Sequence, residues 1–371
     1  MTSARGRIRV MIIATAVALI STLGPAGSAT ASPDASASII NGNPASIGDW
    51  PWQVAIASST SKRPGQSPFY RTFCGGSIVA PTVILTASHC ALDMYKGEVG
   101  DYTVISGRTN LNNQAAGQEV LVTGIYFPRT SNGKILYKTR QAWDVSLLTL
   151  EEPLAGQPVK LLGPDEHSIL KPGRRLIETG WGSTITGRDV YPKTLKMGGT
   201  NIQPPSVCHG LLGSRYFKPS LQVCLGDAKA NQANCYGDSG GPAVVATSAG
   251  YRQVGVTSFG TADNCAGLIP NVDVLVGGGP VRDWIQAGVQ VLGGVDPVGS
   301  GGTAGAISGL CHMPGVRGLS IARARHLIKA NGCRKVRVIH RGRGNRVSRL
   351  PALKGWLWDA SKPIRLLAGG R

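Results

Sequence analysis

Gly237-Asp238-Ser239-Gly240-Gly241-Pro242 sets a serine among glycines, directly after an acid. A serine hydroxyl is a weak nucleophile until a histidine takes its proton. The histidine in turn needs a carboxylate to fix its tautomer and stabilise its cation. Both partners lie upstream in distinctive settings. His89 stands in Leu85-Thr86-Ala87-Ser88-His89-Cys90, and Asp144 in Trp143-Asp144-Val145-Ser146-Leu147-Leu148. The order along the chain is His, Asp, Ser. Glycines around the serine let the backbone N–H groups of Gly237 and Ser239 point at a developing oxyanion with no side chain in the way.

Gly-x-Ser-x-Gly alone also describes the nucleophile elbow of α/β-hydrolases, where the order is Ser, Asp, His. The only histidines after Ser239 are His312, His326 and His340, all in a basic tail, so a lipase or esterase is excluded. The text around the motif agrees. From Ile39 to about Gln290, short runs such as Gln53-Val54-Ala55-Ile56-Ala57, Ser77-Ile78-Val79 and Val244-Val245-Ala246 alternate with Gly, Pro, Asn and Ser clusters. That pattern predicts an all-β barrel or sandwich, with one helix opening at Val281-Arg282-Asp283-Trp284-Ile285.

These segments resemble the chymotrypsin-like serine proteases over about residues 39–290, and Trp181-Gly182 and Ser258-Phe259-Gly260 extend the likeness. That family usually carries Trp where Phe259 stands, and Ile-Ala where Val145-Ser146 follow the acid. The resemblance implies a pair of antiparallel β-barrels with a His89, Asp144, Ser239 triad between them. It implies protein or peptide substrates, and Ser258, Phe259 and Gly260 as the edge that pairs with substrate backbone. It also selects one pairing of the eight cysteines: Cys74 with Cys90, Cys208 with Cys224 and Cys235 with Cys265. Cys311 and Cys333 are left for each other. No Cys-x-x-Cys pair suggests zinc, no acidic loop between Gly107 and Glu119 suggests calcium, and no cofactor is expected.

Ile39-Ile40-Asn41-Gly42 stands where the mature chain of that family begins. The resemblance therefore implies a zymogen, cut between Ser38 and Ile39, whose freed ammonium pairs with Asp238. Upstream, Arg5, Arg7 and Arg9 precede an apolar run from Val10 to Leu23, and Ala29-Thr30-Ala31 offers a small-residue cleavage site. Residues 1–31 read as a secretory signal and 32–38 as a propeptide. No later run reaches the ~18 apolar residues of a transmembrane helix. An even number of cysteines suits an oxidising, extracellular compartment.

By the same alignment, Ala233 lies at the base of the pocket for the residue before the scissile bond, where trypsin-like members carry Asp. Asn271 replaces a usual Gly, and Asp273 a usual Tyr at the rear. The expectation is cleavage after a small or medium uncharged residue. A basic preference supplied by Asp273 is the alternative.

The 371 residues carry 39 basic and 20 acidic side chains, but the excess is uneven. Residues 301–371 hold 15 basic residues and one acid, Asp359, whereas 39–292 hold 21 basic and 17 acidic. Seven glycines in 293–309 suggest a linker. Beyond it, Ser320 can cap a helix with Ile321, Ala324, Leu327 and Ile328 on one face and Asn331-Gly332 as its stop. The strand-like Val336-Arg337-Val338-Ile339 follows. Residues 310–371 thus read as a small α+β module. Met313-Pro314-Gly315-Val316-Arg317-Gly318-Leu319-Ser320 and the Ala-rich helix resemble a PASTA-type repeat, which implies cell-wall binding, non-covalent because no Leu-Pro-x-Thr-Gly signal occurs, with a merely solubilising basic tail as the alternative; that family usually lacks this cysteine pair. The charge independently favours anionic polymers. No specific nucleic-acid motif is present, and the competing whole-protein reading is an inert protease-fold wall binder.

Overall fold

Short apolar runs broken by turn residues close here into two rings of strands. The computed structural model describes residues 39–371 except 98, 131–132, 139–140, 186, 227–231, 261–264, 266–269, 300–309, 314–315, 317–318, 331–332, 334, 341–343, 350–356, 360–363 and 369–371. The expected signal and propeptide lie outside the described residues.

Strands β1 (Gln53–Ser58), β2 (Thr72–Ala80), β3 (Val83–Thr86), β4 (Tyr102–Ser106), β5 (Gln118–Tyr126) and β6 (Ser146–Leu150) form the first ring. It is a closed antiparallel barrel in the order β1-β2-β3-β6-β5-β4. Strands β7 (Arg175–Gly180), β8 (Lys196–Ile202), β9 (Gln222–Gly226), β10 (Pro242–Thr247), β11 (Gly250–Phe259) and β12 (Asn271–Leu275) form the second. There the order is β7-β8-β9-β12-β11-β10, and β10 returns to β7. Closure leaves neither ring with an exposed edge. The expected pair of antiparallel barrels is what the chain forms.

Along β5, Val120 and Val122 point inward and Leu121 outward, the period-two pattern of a half-buried strand. Between the rings the buried contacts turn polar. Ser77 donates to Gln253 Oε1 (2.7 Å), and Thr179 donates to Gln53 Oε1 (2.5 Å). Buried polar groups paired this way fix the register of one ring on the other, because any slip would leave them unsatisfied.

Helix α1 (Ser88–Tyr95) carries the histidine, and α2 (Pro205–Tyr216) follows β8. Neither stands out in a strand-like text. The expected helix at 281–285 is longer: α3 runs Gly279–Gly293, buries Val281, Ile285 and Val289, and ends on Gly294 in the left-handed region (φ 67°). Past that cap the first residues of the glycine-rich stretch are tied down. Leu161 N donates to Pro297 O (2.8 Å) and Gly299 N to Leu161 O (2.9 Å). Gln286 Nε2 holds the Asp296 carboxylate at 3.1 Å.

All four disulfides form as implied: Cys74–Cys90, Cys208–Cys224, Cys235–Cys265 and Cys311–Cys333. The last sits in the core of the C-terminal segment, with Met313, Val316, Ile328, Ile364 and Leu366 around it. There β13 (Leu310–His312), α4 (Ile321–Ala330), β14 (Val336–His340), β15 (Val347–Arg349), β16 (Leu357–Asp359) and β17 (Ile364–Ala368) make a small α+β body. β17 is central to one sheet, parallel to β14 and antiparallel to β15, while β13 pairs with β16. Ser320 precedes α4 as expected, its carbonyl accepting from Ala324 N at 2.9 Å. The expected stop, Asn331-Gly332, and Trp356 lie outside the described residues, as does the Trp358 side chain. Leu357 joins the core of the first barrel instead of this small core. A Cβ on Gly288 of α3 would stand 3.3 Å from Leu357 Cδ1, so glycine there permits a close seat.

Candidate active site

The expected nucleophile is held by both rings. Gly75 N, on β2 of the first, donates to Ser239 O (2.8 Å), while Gly240 N donates to Thr257 O (2.8 Å) on β11 of the second. Gly240 has φ 81°, and a Cβ there would collide with Thr86 Oγ1 and Gly75 O. Glycine is therefore required for the turn that lifts the serine between the barrels.

His89 comes from α1, which starts where β3 ends. Asp144 precedes β6 and is 1% exposed. Its Oδ1 accepts His89 N (2.8 Å), and its Oδ2 accepts His89 Nδ1 (2.7 Å) and Ser258 Oγ (2.6 Å). An ionised carboxylate accepts only, so Nδ1 carries the proton and Nε2 is left as the basic nitrogen. Burial lowers the His89 pKa, but the hydrogen bond and charge of Asp144 outweigh it, and the net shift is upward from 6.5. Ser88 secures the same loop by donating to Val145 O at 2.6 Å.

A cavity of about 500 Å³ joins His89, Ser239, Gly237, Ser258, Phe259 and Gly260 with Asn234 and Asn271. It thereby unites most of the residues expected from sequence. Ser258 does more than line it, since its hydroxyl braces Asp144. Two expected pocket residues are not on its wall. Ala233 is buried, and its carbonyl accepts from Ile40 N at 2.9 Å. Asp273 is 0% exposed, and among the described residues neither of its carboxylate oxygens has a hydrogen-bond donor. Burial, with the charge of Glu178 beside it, pushes Asp273 far above the usual carboxylate range.

Sequence reasoning missed three residues here: Asn234 on the cavity wall, and Thr200 and Glu178 behind it. Glu178 is 2% exposed, and burial raises it to about 7 against the opposing bonds from Asn234 and Thr200. A signal did exist. Leu176 and Glu178 share one face of β7 by the period-two rule, so an acid sits on an inward face.

Asp238, beside the expected nucleophile, is also buried. Its Oδ1 accepts Gly182 N (2.8 Å) and its Oδ2 accepts Cys235 N (3.0 Å). Burial pushes it up to about 7, helped by the charge of Glu178 and opposed by those two bonds. Among the described residues no cation lies within ion-pair distance of it. Ile39 is wholly buried and packs on Gly198 of β8. His89 with the sulfurs of Cys74 and Cys90 is the one group of metal-type ligand atoms among the described residues, and both sulfurs are committed to a disulfide.

The trypsin family model matches residues 39–285, the two barrels and the start of α3. The chain belongs to the trypsin family. It is 30% identical over 229 residues to a trypsin of Saccharopolyspora erythraea, covering 62% of this chain and 88% of that protein. It is 28% identical over 232 residues to a venom protease of Bombus pensylvanicus, covering 60% of this chain and 88% of that one. As a trypsin-family member the chain is a serine-type endopeptidase, acting on proteins or peptides. Among the described residues, no helix is long and apolar enough to cross a membrane.

Proposed function

We propose that this endopeptidase is secreted as a zymogen and cleaves peptide bonds through an acyl-enzyme on Ser239. His89 Nε2 takes the hydroxyl proton as Ser239 Oγ attacks the carbonyl carbon. The backbone N–H groups of Gly237 and Ser239 stabilise the oxyanion. His89 then protonates the leaving amine, and water repeats the sequence on the ester. The observation that carries this reading is the hold of buried Asp144 on His89, which leaves Nε2 as the basic nitrogen of a ring that lines one cavity with Ser239.

Activation is by a cut between Ser38 and Ile39. Supporting this, Asp238 is a buried carboxyl with no cation in ion-pair reach among the described residues, and Ile39 is already buried. The freed ammonium would supply the missing charge. The C-terminal segment holds the enzyme at the cell wall, a role supported by its PASTA-like motif and its excess of basic residues.

One experiment tests the catalytic and activation steps together. Active enzyme is labelled with a fluorophosphonate, and the labelled band is sequenced from its N-terminus. Labelling absent in Ser239→Ala, on a chain beginning at Ile39, is expected. A labelled, fully active chain beginning at Ser32 would overturn the zymogen. No labelling of correctly processed protein would leave an inert wall binder.

A further inference from the structure

Behind the cavity that holds Ser239, three polar side chains stand in a row from the second barrel's interior to the cavity wall. Glu178, on β7, accepts at Oε1 from Asn234 Nδ2 (2.5 Å). Asn234 Oδ1 accepts from Asn271 Nδ2 (2.8 Å), which also donates to Asn234 O (3.1 Å). Asn234 and Asn271 line the cavity, whereas Glu178 does not.

The direction of this row is set at its buried end. A carboxylate accepts only, so Asn234 must turn its NH2 to Glu178. Its Oδ1 then faces Asn271, which must present its own NH2. Asn271 Oδ1 is thus left over, directed at the cavity edge, where a Cβ on Gly260 would lie 2.9 Å away. Among the described residues nothing donates to it. Protonation of Glu178 does not reverse the row. Thr200 Oγ1 donates to Oε2 at 3.2 Å and can instead accept a proton placed there, while Oε1 stays an acceptor. Asp273 does not line the cavity.

We infer that Glu178 is a positioning residue for specificity: acting through Asn234, it holds the Asn271 carbonyl oxygen as a hydrogen-bond acceptor for a neutral, donor-ended side chain, the carboxamide of glutamine or asparagine, before the scissile bond. This rests on reading the cavity as the pocket for that side chain. A carboxylate in its place would set acceptor against acceptor. A lysine or arginine would meet an amide oxygen at Asn271 in place of a carboxylate, because Asp93, the acid on the cavity wall, is exposed and already paired with Lys96. A methionine would leave the buried oxygen unpaired.

The test uses three peptide substrates of near-equal size differing only at that position: Gln, Glu and Met. Wild-type enzyme should give kcat/KM for Gln at least about tenfold above Met, and further above Glu, consistent with one buried hydrogen bond. In Glu178→Gln the buried end can donate or accept, both directions of the row become available, and the Gln-to-Glu ratio should fall about tenfold or more. Ratios are read within each variant, so a general loss of activity cancels. Should Glu178→Gln fail to fold, Asn271→Ala should erase the Gln-over-Met preference. A ratio unchanged in both variants overturns the inference, as does wild-type cleavage dominated by Lys, Arg, Glu or Met. Fluorophosphonate labelling of Ser239 separates the two readings. Labelled enzyme without the Gln preference defeats this inference alone, and unlabelled enzyme defeats the protease mechanism.

Discussion

Asp144 accepts three hydrogen bonds while almost wholly buried, and two of them come from His89. Changing Asp144→Asn keeps the shape but puts an NH2 donor where Nδ1–H now donates, so the histidine must flip tautomer and lose its basic Nε2. The expected result is a fall in kcat of about 10⁴-fold, with KM little changed. The pH profile follows from the same pair. In the proposed mechanism His89 acts as a base only when neutral, and Asp144 raises its pKa above 6.5, so the acid limb of kcat/KM should lie above that value. Stopped assays of wild type and Asp144→Asn across pH 5–9 check both, and an acid limb below 6.5 would contradict the pairing. His89, Asp144 and Ser239 could be singled out from the sequence because each sits in a short segment whose neighbours have structural roles of their own: Ser88 braces the loop, and Gly240 makes a turn no Cβ fits. Glu178 was not legible in that way. A lone acid in a strand usually faces water, and only closure of the barrel places this one against Asn234 and Thr200.

At the level of elements, strands were readable from alternation, whereas closure was not, since neither β1 to β4 nor β10 to β7 is adjacent in sequence. The loop before Ser239 combines both problems. Its Asp238 was expected to meet an ammonium, but in the intact chain Ile39 N is a peptide nitrogen, and among the described residues the carboxyl accepts from Gly182 N and Cys235 N alone. Its pKa is raised from 3.8 to about 7. An acid raised by folding contributes stability that is fully present below its unfolded pKa and is lost as pH climbs through the folded value. The precursor should therefore lose stability between about pH 4 and 7. Cleaved enzyme should lose less there, because the new ammonium favours the ionised carboxyl until the ammonium itself deprotonates. With Ser239→Ala in both forms to prevent self-digestion, Tm of the precursor should drop between pH 5 and 8 by on the order of 5 °C more than that of the cleaved chain. Glu178 is buried in both forms, so the comparison between them isolates the effect of the new ammonium. Parallel curves would remove Asp238 from the activation switch.

The whole molecule departs most from its text in how the basic segment sits. A glycine-rich stretch suggested a tether, and composition could not show that Pro297 and Gly299 bond Leu161, or that Leu357 seats on α3 at Gly288. Such contacts depend on a glycine with room above it and a leucine 69 positions later, and neither is unusual by itself. Two consequences follow from the same cut. A chain ending at Gly299 keeps the Leu161 strap but uncovers the surface that Leu357 fills. Its Tm should fall by a few degrees, because losing one buried leucine side chain costs about 2 kcal/mol or more. Hydrolysis of small peptides should persist, since His89, Asp144 and Ser239 all lie on the barrels. The shortened chain also loses the segment in which 15 basic residues face a single acid. If that charge retains the enzyme on an anionic wall, full-length protein should sediment with purified cell walls in low salt. It should be released near 1 M salt, where the screening length falls to ~3 Å. The shortened chain should stay in solution at every salt concentration. Equal sedimentation of the two chains would leave the basic segment as a solubilising body docked on α3, with wall retention discarded.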